Sequence, residues 1–155
     1  MSEHLAGRDF RPDQQGSTPR QDPAQIDEEA ELQADPRFQD AVALFNAGEW
    51  YACHDGFEEL WHETQGPLRP VLQAILQIAV AHLHLERGNR RGATVLLGEA
   101  CGRLARCPEQ VFGLDLAVLR ACGQSRLQAL QADLPLDGLP NPTLRCLARQ
   151  APPVD

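Results

Sequence analysis

The run LRPVLQAILQIAVAHLHLER, near Leu68 to Arg87, is apolar on nearly every side of a helix. A helix of that kind needs cover all round, which marks it as the central helix of an all-helical domain. Its polar exceptions are therefore informative. Gln73, Gln77 and His84 recur at spacings of four and seven and form one narrow stripe, while His82 lies on a different side. Those breaks leave the stretch from Val71 to Leu85 short of the roughly 20 apolar residues that a bilayer span needs.

The covering helices are punctuated in the sequence. Asp35 is a natural N-cap, Pro36 suits a first helical position, and Gly48 stops a helix whose buried side is Phe38, Val42, Leu44 and Phe45. A second helix runs near Glu49 to Thr64, and Gly66, Pro67 and Pro70 lead into the central one. Gly88 ends the central helix, and Asn89 caps a fourth near Arg90 to Arg106. Small residues Gly92, Ala93, Gly98 and Gly102 permit close approach there, and Pro108 breaks it. A fifth helix is expected near Asp115 to Ala132. No segment alternates in the manner of a strand. The expected architecture is all-α: a compact array of about five helices, built of helical hairpins around the central apolar helix. Residues 35–134 would form the domain. Residues 1–34, rich in Pro, Gly, Gln and acid, read as a disordered acidic tail, with at most a transient helical turn at Ile26 to Gln33. Residues 135–155 read as a Pro-rich C-terminal tail with at most a short helix around Thr143 to Ala148. A weak echo at an offset of forty residues pairs Gly48, Ala52 and Glu59 with Gly88, Gly92 and Glu99, which is a packing rule of two hairpins and not a solenoid repeat.

The second helix carries the chemistry. Trp50, Cys53, Phe57, Leu60 and Trp61 make one apolar stripe, and His54 falls inside it with Glu58 one turn further on. Asp55, Glu59, His62 and Glu63 fall mostly on the other face. Polar groups within an apolar stripe call for partners, since uncompensated burial costs roughly 1–3 kcal/mol for neutral groups.

Composition excludes several functions. All 14 basic residues are arginine, so a Schiff-base lysine, a pyridoxal-phosphate anchor and a P-loop lysine are absent. Serines are confined to Ser2, Ser17 and Ser125, which argues against a serine nucleophile. The net charge of −8 sits mainly in residues 1–35, and no basic stripe suited to nucleic acid exists. Five cysteines without a CxxC pair, and an N-terminus without a signal-peptide pattern, point to a reducing, cytoplasmic setting. Cys101 and Cys107 are the two that can approach each other.

The blocks FNAGEWYACHDGFEELW and LQAILQIAVAHLHLERGNRRGATVLLGEACGRL, with the later GLD, closely resemble the domain of unknown function 309 family. The resemblance covers roughly Pro36 to Gln131. It implies a compact all-helical domain, found mostly in bacteria and archaea as a small soluble protein with no assigned activity. The family's polar positions map onto His54, Glu58, Gln77, His84 and Asn89, with Trp61 beside them. Two positions depart from the family: His82, where an apolar or aromatic residue is expected, and Gly56, normally larger.

Three readings of the site follow. In the first, His54, Glu58, Gln77 and His84 form a polar network between two packed helices and fix their register. In the second, those groups with Trp50 and Trp61 line a small-molecule pocket of a binding protein. In the third, His54, Glu58 and His84 hold a divalent metal such as zinc, and Glu58 acts as base toward a metal-bound water in a hydrolase. Cys53, adjacent to His54, points about 100° away and reads as core. Partners expected are neither nucleic acid nor membrane; a homodimer stays open.

Overall fold

The computed structural model describes residues 23–147. Among them are six α-helices: α1 Pro23–Ala34, α2 Pro36–Asn46, α3 Trp50–Glu63, α4 Arg69–Glu86, α5 Arg90–Leu104 and α6 Leu116–Gln131. A 3₁₀ turn, Gly66–Leu68, leads into α4. Three two-residue strands, β1 Gln110–Val111, β2 Leu114–Asp115 and β3 Arg145–Cys146, form an antiparallel sheet in the order β1-β2-β3.

The mostly helical architecture and its central helix are as expected. Leu72, Ala74, Ile75, Ile78, Ala79 and Ala81 of α4 are fully buried, in one core cluster with Phe45, Cys53, Phe57, Leu97, Ala100 and Leu119. With the turn before it, the helical run Gly66–Glu86 reaches 21 residues, longer than the Val71 to Leu85 stretch judged too short for a bilayer. It is long and apolar enough to cross a membrane by length and composition, yet half of its apolar window is buried inside the fold. Core packing accounts for its hydrophobicity.

The hairpins share one device. Gly48 and Gly88 both take φ +76, a left-handed conformation that glycine adopts without a Cβ clash. Gly48 N–H donates to Phe45 O and Glu49 N–H to Leu44 O; Gly88 N–H donates to Leu85 O and Asn89 N–H to His84 O. This is the paired 5→2 and 6→1 closure that ends a helix and reverses the chain. The forty-residue echo is thus a repeated helix stop. At the N-termini, Asp35 Oδ1 accepts from Arg37 N–H at 2.9 Å and Asn89 Oδ1 from Gly92 N–H at 2.9 Å, the two expected caps. Gly56 also has a packing reason, because a Cβ there would lie 3.2 Å from the Ala41 Cβ where α2 and α3 touch.

Three expectations need correction. Residues 23–34, taken as tail, form α1, and Glu29 Oε2 accepts from Phe112 N–H at 2.9 Å. The disorder expected for residues 1–22 lies outside the described residues. The chain does contain strands: Phe112 and Gly113, at φ 58 and 69, make the tight turn between β1 and β2. The C-terminal segment is no free tail up to residue 147. Leu144 is buried, and Asn46 both donates to its carbonyl (3.0 Å) and accepts from its N–H (2.7 Å). Arg126, also buried, donates to Leu139 O, Pro140 O and Asn141 Oδ1. Where a loop with at most a short helix was expected, β3 pairs with β2, because these anchors hold the segment extended.

Candidate functional site

The site is best built from the stripe that α4 leaves half-buried: Arg69, Gln73, Gln77, Val80 and His84. Helix α3 approaches one side and α5 the other. At the α3 side, the Arg69 guanidinium lies 4.1 Å from the Trp61 ring centre, a cation–π contact. At the α5 side, Gln77 Nε2 donates to Glu99 Oε1 at 2.8 Å, and Gln77 Oε1 accepts from Arg103 Nε at 3.0 Å. One side chain on α4 therefore bridges an acid and a base on α5.

His54 and Glu58 stand on the rim of α3, one turn apart as their spacing requires. His54 Nε2 is 3.2 Å from Glu58 Oε2, and Nδ1 is 3.4 Å from Asp55 Oδ1. The Tyr51 ring, itself 60% exposed, tilts against His54 at 5.9 Å. The His54 side chain is 23% exposed and that of Glu58 46%, so this pair borders solvent rather than filling the core. His54 Nδ1, Trp61 Nε1 and Arg69 Nε are buried atoms with no hydrogen-bond partner.

His84 turns to a different neighbour. Its Nδ1 lies 3.1 Å from Asn89 Nδ2, which donates to it, while Asn89 Oδ1 caps α5. Asn89 thereby ties the end of α4 to the start of α5. The structure thus separates the expected cluster into three pairings: His54 with Glu58, Gln77 with Glu99 and Arg103, and His84 with Asn89. Gln77 meets α5, not the α3 residues. The three-ligand metal set His54, Glu58 and His84 is not assembled: among the described residues no three His, Cys, Asp or Glu side chains are grouped to hold a metal ion. None of His54, Glu58, Trp61, Gln77, His84 or Asn89 lines the cavity of about 490 Å³ between α2 and the small sheet, where Phe38, Val42, Phe112 and Leu114 form the walls.

Two other residues merit comment. His82 is buried, its ring 4.7 Å from that of Trp50, and its Nδ1–H donates to Ile78 O at 2.8 Å. Burial pushes it down to about 4 and Arg126 adds to this, against the opposing Ile78 bond, so it is neutral near pH 7. It fills the place where the sequence resemblance implies an apolar or aromatic residue. Cys53 is fully buried, its thiol pushed up to about 12 by burial, which leaves it a core group and no nucleophile. Cys101 and Cys107 do not bond; all five cysteines are free. The polar node missed by sequence reasoning is Arg37, which donates to Asp35, Glu59 (2.7 Å) and Glu63 (2.7 and 2.9 Å) and so ties α2 to α3. The i, i+4 spacing of Glu59 and Glu63 was the available signal.

An uncharacterized protein of Aquifex aeolicus (strain VF5) is 26% identical over 97 residues, covering 62% of this chain and 28% of that protein. This chain therefore matches little more than a quarter of that relative's length. Residues 38–96 match the sequence model of the family described as Domain of unknown function (DUF309), a span that runs from α2 into α5.

Proposed function

We propose that the chain is a non-catalytic helical binding or interaction module, in which Gln77 and His84 serve as struts that fix the α4–α5 hairpin while His54 and Glu58 pair on the rim of α3. The observation that carries this reading is the Glu99–Gln77–Arg103 bridge, which uses both ends of one amide to lock α4 to α5. His84 with Asn89 adds a second tie at the turn of the same hairpin. Polar groups so engaged define shape and leave little free chemistry. The half-buried face of α3, α4 and α5, with Tyr51 and Val95 exposed at its edges, is then the surface a partner would meet. Five free thiols favour a reducing, cytoplasmic setting for such a module.

A double-mutant cycle on Gln77→Leu and Arg103→Leu tests the strut reading. Unfolding free energies are expected to show a coupling of about 1 kcal/mol, the net size of an ordinary intramolecular hydrogen bond. Coupling indistinguishable from zero would mean that the bridge does not hold the hairpin.

A further inference from the structure

A second cavity, of about 320 Å³, opens where α4 begins and α5 ends, lined by Pro67, Pro70, Val71, Arg103, Arg106 and Cys107 with Pro108. Its volume is at the small end of ligand pockets, roughly 300–1,000 Å³. Its charge is one-sided. Two arginines line it and no carboxylate does, in a chain whose net charge is −8. Among the described residues, neither Arg103 nor Arg106 takes part in an ion pair. The acid one turn before Arg103, Glu99, accepts instead from Gln77.

Arg103 is also held in place. Its Nε is fixed on Gln77 Oε1, which leaves its two terminal nitrogens as free donors and removes part of the entropy that ordering a long side chain would cost. Cys107 reports how close both arginines come: burial pushes its thiol up, while Arg106 and Arg103 pull it down. The 18-residue α4 starts at this wall, with no side-chain cap at its N-terminus, so the positive end of its dipole adds to the same field.

We propose that this cavity binds a phosphoryl group, carried on a small phosphate monoester whose organic part lies against Pro67, Pro70 and Val71. A dianion engages both guanidinium forks at once, whereas a carboxylate is satisfied by one. The proposal shares Gln77 with the strut reading but stands on the cavity and its unpaired arginines; its failure would leave the α4–α5 bridge untouched.

The test uses inorganic phosphate as the probe, titrated against the full chain at constant ionic strength with chloride as the balancing anion. Phosphate is expected to raise the melting temperature saturably, and to slow alkylation of Cys107 without slowing that of Cys146. Arg106→Gln, an exposed site whose change does not threaten folding, should weaken the apparent affinity about tenfold, and Arg103→Gln likewise. Acetate at matched ionic strength should do nothing. Identical melting curves in phosphate and chloride, an Arg106→Gln variant that binds as the parent does, or acetate acting as strongly as phosphate would each overturn the proposal.

Discussion

His82 concentrates the physics of this core in one side chain. Its ring packs on Trp50 as an aromatic would, and one nitrogen is satisfied by the Ile78 carbonyl. Nε2 is buried without a partner, so adding a proton there would bury a charge near the Arg126 guanidinium. The folded-state value, about 4, lies below the ordinary 6.5, so the unfolded chain binds the proton more readily. Stability must therefore fall as pH drops below 6.5 and level off below about 4, by a total of about 3 kcal/mol for this one group. Urea unfolding at steps between pH 7 and 4 measures that slope, and His82→Phe should flatten it. An unchanged slope in the variant would assign the loss to other groups. The sequence placed His82 apart from the Gln73–Gln77–His84 stripe, which was correct; its stacking partner was not readable, because it depends on how α3 lies across α4.

At the scale of elements, local signals carried far and long-range ones did not. Asp35, Gly48, Gly88 and Asn89 were readable because a cap or a helix stop involves residues within five positions of each other. The anchor of the C-terminal segment spans 98 residues from Asn46 to Leu144, and nothing around Asn46 in sequence announces it. Helix α1 escaped similarly: its acidic composition resembles a tail, and its docking rests on distant contacts such as Glu29 with Phe112 and Leu32 with the core. Asn46→Ala removes two partly buried hydrogen bonds and should cost about 2 kcal/mol, at about 1 kcal/mol each, in chemical denaturation. The α2–α3 tie behaves differently. Arg37 holds Asp35 and Glu63 below the usual carboxylate range, so their contribution is present above that range and lost as pH falls through the lowered values. All three groups border solvent, so the destabilisation caused by Arg37→Ala should shrink by more than half in 1 M NaCl, where the screening length is about 3 Å. An effect independent of salt would point to packing of the arginine stem instead.

Across the whole molecule, helical hairpins are stapled in succession around one apolar helix, with polar side chains working in separate pairs along the seams. His54, Glu58, Gln77 and His84 were legible as polar positions from periodicity alone, since each interrupts or borders an apolar stripe. Their separation was not, because the stripe on α4 faces α5 as much as α3, and helix-to-helix angle is set by packing. The sequence reading gathered them at one interior point; the structure spreads them over a half-buried face. Metal content tests that difference most directly. Protein purified without chelator or nickel resin, then dialysed against micromolar zinc and washed, should hold well under one zinc per chain by elemental analysis, with Glu58→Ala and His84→Ala indistinguishable from the parent. One zinc per chain, lost in both variants, would contradict the account and reunite His54, Glu58 and His84 in a single site.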